Sequence, residues 1–535
     1  MKINNKLMGS IRAAGVAASL TALHASAADG PPNIVYILAD DMGLGDISAC
    51  NPASAWRTPH LDRLAQAGLR FTDAHSSSAV CTPSRYSILT GRYAWRGRIK
   101  QQVAYGYSPP VIEAGRLTVP ALLRQHGYAT AMIGKWHLGL EWTHRAPGAG
   151  PDPLDPTDGE PAQRAAENNP AFERGIDYSQ PFRRGPVDSG FESFFGISAS
   201  LDMPPYVWLR NDRVETPPAR KIAGSKLPAM WRTGPVANDF AHVDVQPRLR
   251  SEAVKYLAQQ DGKKPFFLYL ALAAPHTPIV PAKEYEGRTG TTVYGDFCVQ
   301  VDETVGAVLQ ALEARHLDGN TLVIFAADNG CSPAANLAEL KKFHHDPQPG
   351  LRGAKADIYE GGHRIPFIVR WPGKIAAGSK SDALVCQVDL MATCAELLSV
   401  KLPPEAAEDS VSLLPILLDG GKTGQVRTTL VNHSVNGSFA IRQGPWKLCL
   451  TADSGGWSDP KPGQAPAGSP PFQLFNLEKD LAETTNLYAQ HPEIVQQLGE
   501  LLKSQILQGR STPGPAQSNT GGNDWPQLAW LKAFK

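Results

Sequence analysis

Four times along the chain, a run of apolar, β-favouring residues stops abruptly at polar side chains capable of chemistry. Asn33–Ala39 gives way to Asp40 and Asp41, and Tyr128–Ile133 to Gly134, Lys135, Trp136 and His137. Pro265–Leu272 runs into Ala274, Pro275 and His276, and Leu322–Ala327 ends in Asp328 and Asn329. Runs without polar alternation read as strands buried on both faces, the kind found in parallel sheets. Between them lie helical patterns at Thr58–Gly68, Thr118–Gly127, Arg248–Gln260 and Asp296–His316, the last with Phe297, Val301, Val305, Val308 and Leu312 at helical spacing. Strand and helix in alternation predict an α/β fold whose mostly parallel central sheet is covered by helices on both faces. Ligands of such sheets bind beyond the carboxyl ends of the strands. Any one polar strand end has a bland explanation as a solvated terminus; four of them point to a shared site.

The chain has 535 residues, more than one small core accommodates. Lys2, Lys6 and Arg12, an Ala/Val/Leu run to Leu23, and Ala25-Ser26-Ala27 make residues 1–27 read as a secretory signal peptide. That run is too short to span a bilayer and no other segment reaches spanning length, so an exported, periplasmic or secreted protein without a membrane span is expected. Residues 28–424 read as the catalytic α/β domain. Within it, 146–190 break the rhythm with clustered Pro, Gly, Asp and Asn, either as an ordered substrate loop or as a flexible surface insert. From about Gln425, short strands at hairpin spacing and an amphipathic helix over Pro492–Leu507 predict a small antiparallel sheet plus helix, with the tail, as a C-terminal subdomain over 425–535. A net charge of +1 excludes a strongly basic nucleic-acid binder, so anion binding has to come from a local cluster of cations. The seven cysteines are scattered, with no C-x-x-C pair and no zinc-like spacing, and arithmetic allows up to three disulfides if one cysteine is otherwise consumed.

Cys81-Thr82-Pro83-Ser84-Arg85 is the most specific stretch. Pro83 suits the first turn of a helix and Gly91 the position just past its end, which places Cys81 at the mouth of a short helix. Unpaired N–H groups and the positive end of the dipole there favour an anion. Arg85, four residues on, adds a fork-shaped charge to the same face. A buried structural cysteine is the alternative for a lone Cys. The pattern C-x-P-S-R, however, resembles the modification motif of the type I sulfatases, members of the alkaline phosphatase superfamily.

In that family the cysteine is oxidised after translation to formylglycine, an aldehyde that hydrates to a gem-diol; the resemblance makes Cys81 the converted residue and implies a maturation enzyme as partner. Asp40, Asp41, Asp328 and Asn329 offer hard oxygen ligands and neither thiolate nor imidazole, a set that favours Ca²⁺ or Mg²⁺ over zinc, and a mixed carboxylate and amide cage favours Ca²⁺. Without a metal, three carboxylates would repel one another. The set resembles the sulfatase site for one calcium ion, which also takes in the residue at Cys81. Lys135, His137, His276 and Lys355 match the remaining family positions, Lys355 ahead of an E-G-G-x-R-x-P segment at Glu360–Pro366. A sulfate ester needs its oxygens held and its leaving alkoxide stabilised, which a cage of cations and donors does. The implied reaction has two steps. One hydroxyl of the hydrated aldehyde attacks sulfur while His276 or Lys355 protonates the departing alcohol, and Asp328 assists deprotonation of the nucleophile; the second hydroxyl, deprotonated by His137, expels sulfate. Arg85 would stabilise the modified residue. The similarity runs from Asn33 to about Leu487.

The resemblance implies a sulfatase acting on a sulfated carbohydrate, with 6-O-sulfated galactose or N-acetylgalactosamine as the substrate hypothesis. Lys135, His276 and Lys355 would contact the sulfate. Asp202, Tyr206, Trp208 and Arg210 would contact the sugar, against the alternative of a loop packed on itself. Two rival readings are a phosphodiester or phosphonate monoester hydrolase of the same superfamily and an inactive carbohydrate-binding relative. The first calls for an added Asp/His ligand set, which no Asp-x-x-x-His motif supplies although Asp-rich stretches in the 146–190 insert keep it open; the second calls for a missing core residue, and none is missing.

Overall fold

The structure, a computed structural model, describes residues 30–146 and 175–534. The expected signal peptide at 1–27 and most of the 146–190 excursion lie outside the described residues. Five strands form the parallel centre: β1 (Asn33–Ala39), β2 (Ala129–Lys135), β3 (Ser193–Ile197), β4 (Phe266–Ala271) and β5 (Thr321–Ala327). They lie in the order β5-β1-β4-β2-β3. Every residue of β1, β4 and β5 is buried, as expected for strands sandwiched between helical layers.

The register brings the carboxyl ends side by side. Ala39 pairs with Ala327, Leu38 with Ala271, and Ala271 with Gly134. Asp40, Asp328, Lys135 and the segment leading to His276 therefore leave the sheet together. Helices at Pro59–Gln66, Val119–Gln125, Val245–Ala258 and Val293–Ala314 follow the four predicted patterns. Phe297, Val301, Val305, Val308 and Leu312 are all buried, giving the long helix its core-facing stripe.

The sheet continues to ten strands through edges the sequence pattern did not reveal. Phe367–Arg370 runs antiparallel to β5, and Leu209–Arg210 antiparallel to β3. These runs are short, and short apolar stretches carry too little periodicity to mark an element. At the C-terminal end, Thr429–His433, Phe439–Gln443, Trp446–Cys449 and Gln473–Asn476 form an antiparallel four-stranded sheet, backed by the Pro492–Leu507 helix. Leu430, Ile441 and Leu448 share a core with Leu498, Leu502 and Ile506, and with Tyr93 and Trp95 from the α/β part. Near the far end of the chain, Pro526–Ala533 forms a short 3-10 helix that buries Leu528 and Trp530. All seven cysteines are unpaired, so none of the arithmetically possible disulfides forms. No helix among the described residues is long and apolar enough to cross a membrane.

Candidate active site

Cys81 opens a ten-residue helix, Cys81–Thr90, whose residues are all buried. Gly91 ends it in the left-handed region at φ 65°, where its N–H donates to Ser87 O and a Cβ would lie 2.7 Å from that of Met391. Only glycine fits that stop. One turn into the helix, Arg85 donates from Nε and Nη2 to Asp328 Oδ2 at 3.0 and 2.8 Å, and from Nη1 to the Lys135 carbonyl at 3.2 Å.

The expected convergence is present. Ligand atoms of Asp40, Asp41, Cys81 and His276 all lie within 4.8 Å of one another. Lys135 Nζ sits 2.6 Å from Asp40 Oδ2, and Lys355 Nζ 2.6 Å from Asp41 Oδ1. Asp41 and His137 both hold left-handed backbones, at φ 65° and 58°. Non-glycine residues in that region are concentrated where a site demands a particular side-chain direction.

Each carboxylate has its own cation: Lys135 for Asp40, Lys355 for Asp41, Arg85 for Asp328. Mutual repulsion of three carboxylates therefore does not by itself require a metal. A different observation fits one. Asp40 Oδ1 and Asn329 Oδ1 are buried and accept no hydrogen bond among the described residues, with Arg85 Nη2 3.6 Å from Asp40 Oδ1. Burial alone would raise the Asp40 carboxyl, but Lys135, His276, Arg85 and Lys355 together hold it well below the usual range. Asp328 is shifted the other way, by burial and by Asp40 beside it, against Arg85 and Lys135. The cluster of Asp40, Asp41, Cys81 and His276 could hold a metal ion, while both Asp328 oxygens are already engaged, by Asp41 N–H and by Arg85.

The two histidines differ. His137 Nε2 donates to the Ala104 carbonyl at 2.7 Å, while Nδ1 has no partner among the described residues. Burial first, then Lys135 and Arg85, hold its pKa well below the usual value, so it is a neutral imidazole with a free lone pair. His276 donates from Nδ1 to Thr277 O at 2.6 Å, and its Nε2 lies 3.6 Å from Asp41 Oδ2. Burial pushes the Cys81 thiol up to about 12, against the pull of Lys135 and Lys355.

Above this floor lies a cleft of about 480 Å³ with Cys81, His137, His276 and Lys355 in its lining. That size suits a monosaccharide-scale ligand. Of the expected sugar contacts, only Asp202 lines it. Arg210 lies outside the cleft, held by Glu215 at 2.5 Å and Glu252 at 3.3 Å and set 4.6 Å over the Phe195 ring. Trp208 is buried and stacked on Phe195 at 5.1 Å, and Tyr206 is buried with its hydroxyl on the Asp202 and Arg232 carbonyls. Leu209–Arg210 folds back as the antiparallel edge beside β3, and Tyr206 bridges Val236 in parallel. Ser200, Tyr105, Arg232 and Trp457 were not foreseen. Ser200 accepts from Lys135 at 3.0 Å and lies 3.2 Å from His276 Nδ1, and the other three line the cleft. None sits in a motif, so no sequence signal marked them. The Glu360–Pro366 segment, in contrast, serves structure: Glu360 holds Arg364 and Lys447 at 3.0 Å each, at the junction with the C-terminal sheet.

Fold and site together define a hydrolase of anionic esters on an alkaline phosphatase-like scaffold. Residues 32–400 match the Sulfatase family model, and residues 354–456 match the family described as N-sulphoglucosamine sulphohydrolase, C-terminal. The chain is 33% identical over 513 residues to the N-acetylgalactosamine-6-O-sulfatase of Bacteroides thetaiotaomicron, covering 88% of this chain and 93% of that protein. It is also 33% identical to human arylsulfatase A, with 92% and 91% covered. A solved structure described under the metabolism of multiple glycosaminoglycans by Bacteroides thetaiotaomicron superposes with a TM-score of 0.73 at 32% identity, covering 88% of this chain and 98% of that one. The chain belongs to the type I sulfatase family, and it is an enzyme that hydrolyses sulfate esters.

Proposed function

We propose that the protein removes O-sulfate from a sulfated glycan, using formylglycine derived from Cys81 and one calcium ion, with 6-O-sulfated galactose or N-acetylgalactosamine as the first substrates to test. The observation that carries this reading is the gathering of Asp40, Asp41, Cys81 and His276 ligand atoms within 4.8 Å at the floor of a sugar-sized cleft. The substrate class is supported by the relative named N-acetylgalactosamine-6-O-sulfatase.

Asp40, Asp41, Asp328, Asn329 and the side chain at 81 would hold the ion, whose charge would stabilise developing negative charge on the sulfate oxygens. Formylglycine would supply a hydroxyl nucleophile where a buried thiol stays protonated. Lys135 and Lys355, fixed on Asp40 and Asp41, present cations to the sulfate oxygens. Arg85 holds Asp328 in place from behind. His137 is fitted to accept a proton at Nδ1; the leaving oxygen would take its proton from Lys355 or from His276, the latter at Nε2 when the ring carries protons on both nitrogens with Nδ1–H on Thr277 O. Cys81 is only 2% exposed, so the maturation enzyme has to act before folding is complete. Export and a periplasmic or extracellular location belong to the same reading, since polymeric glycans are met outside the cell.

The test is release of inorganic sulfate from defined sulfated mono- and oligosaccharides, run beside a phosphodiester and a phosphonate monoester. Sulfate release from at least one sugar, well above any phosphoester turnover, is expected. Phosphodiester turnover with uniform inactivity on sulfated sugars would overturn the reading.

A further inference from the structure

Most polar groups of the cleft that face substrate are cations or donors suited to sulfate. Asp202 is the one carboxylate among the described residues that line it. It is 3% exposed and lines the cleft, yet only one of its two carboxylate oxygens is engaged: Oδ2 accepts from Arg232, while Oδ1 is buried with no hydrogen-bond partner among the described residues. The pair is held from behind. The Arg232 backbone N–H donates to Asp202 O at 3.0 Å, and the Tyr206 hydroxyl bonds the carbonyls of Asp202 and Arg232 at 3.0 and 2.7 Å. Arg232 sits just before the strand Gly234–Val236, which pairs with Arg220–Ile222, so this hairpin carries one wall of the cleft together with Leu227 and Met230. The Arg232 guanidinium also lies 5.4 Å from the Tyr105 ring on the cleft wall.

An ionised carboxylate only accepts hydrogen bonds. It repels sulfate, so its free oxygen is of no use to the sulfate itself. A buried acceptor left open is costly, and a donor that arrives with the ligand recovers that cost. We infer that the Asp202–Arg232 pair is the hydroxyl-reading element of the site: Asp202 Oδ1 accepts from a free ring hydroxyl of the sugar that bears the sulfate, and so selects sugar sulfates over esters without such a donor. A site with a buried acceptor rejects an analogue lacking the donor far more strongly than an apolar pocket rejects a change of shape. The inference deepens the proposed function and rests on it for the sulfate chemistry alone.

The experiment compares the mature protein with Asp202→Asn and Arg232→Lys. The substrates are methyl 6-O-sulfo-galactoside, its 3-deoxy and 4-deoxy analogues, and 4-nitrophenyl sulfate, which carries no hydroxyl donor. In Asp202→Asn, the kcat/KM ratio of galactoside over nitrophenyl ester should fall on the order of 10- to 100-fold. One deoxy analogue should be penalised in the wild type and no longer penalised in the variant. Arg232→Lys, which keeps the charge, should show the smaller loss. An equal loss on both esters, with thermal stability unchanged, would overturn the inference and leave Asp202 as no more than an anchor for Arg232. Ligand-observed NMR with sulfate-free methyl galactoside separates the two proposals. Asp202-dependent binding without sulfate release from any ester sinks the enzymatic reading alone; sulfate release from the nitrophenyl ester without galactoside binding sinks this inference alone.

Discussion

Arg85 is buried, and its guanidinium makes two hydrogen bonds to Asp328 and one to the Lys135 carbonyl. Replacing it with Met strands a buried carboxylate, a change that typically costs about 3–5 kcal/mol. Denaturant unfolding of Arg85→Met in the presence of a chelator should show a loss of that size; a loss below ~1 kcal/mol would mean that Asp328 finds another partner. His137→Ala should lower kcat by about 10²- to 10⁴-fold through loss of the free lone pair at Nδ1, and should also cost about 1–3 kcal/mol of stability through the lost Nε2 bond to the Ala104 carbonyl, whereas His137→Gln should lower kcat with the smaller stability loss. Steady-state kinetics beside thermal melts check it. The floor of the site was readable because Cys81, Asp40, Lys135, His276 and Asp328 each sit in a compact motif or at the end of a strong apolar run. Ser200 and Arg232 were not, since their roles exist only through contacts made by folding. Arg210 and Trp208 looked similar to Asp202 in the sequence, and only the direction of the edge strand separates them.

The strand Thr429–His433 ends in a histidine that is 1% exposed and has no partner at either ring nitrogen among the described residues. Burial alone drives its pKa down to about 3. A group depressed in this way favours the fold above its unfolded value, near 6.5, and loses that contribution as pH falls toward the folded value. His433 should therefore cost about 2 kcal/mol of stability on going from pH 6.5 to pH 5. In His433→Leu, the mean slope of unfolding free energy against pH over that interval should flatten by about 1.1 kcal/mol per unit; an unchanged slope would mean the ring protonates freely in the folded protein. The strong parallel strands and long helices were visible in the sequence because periodicity and burial agree there. The two-, three- and four-residue edge strands were not, since tertiary pairing rather than local pattern creates them.

Across the whole molecule, the C-terminal sheet supports the site from outside the α/β part. Ala79 N–H donates to His433 O at 3.0 Å, Gln102 N–H to Val435 O at 2.7 Å, and Val435 N–H to Ala356 O at 3.0 Å. These bonds brace the approach to Cys81 and the turn carrying Lys355. A chain ending at residue 424 should therefore give no active, protease-resistant protein, and the full chain should unfold in a single calorimetric transition; two separated transitions would show the parts to be independent. Calcium at a hundred times its Kd should raise stability by about 2.7 kcal/mol, and chelation should remove both that increment and the activity. The central claim is that an oxidised side chain at 81, set in this cluster, is the working nucleophile. The most direct measurement is the mass of the Cys81 peptide, followed against sulfate-releasing activity across preparations matured to different extents. The account predicts a peptide lighter by about 18 Da, with activity proportional to its fraction. Undiminished sulfate release from a preparation whose Cys81 is entirely thiol would contradict it.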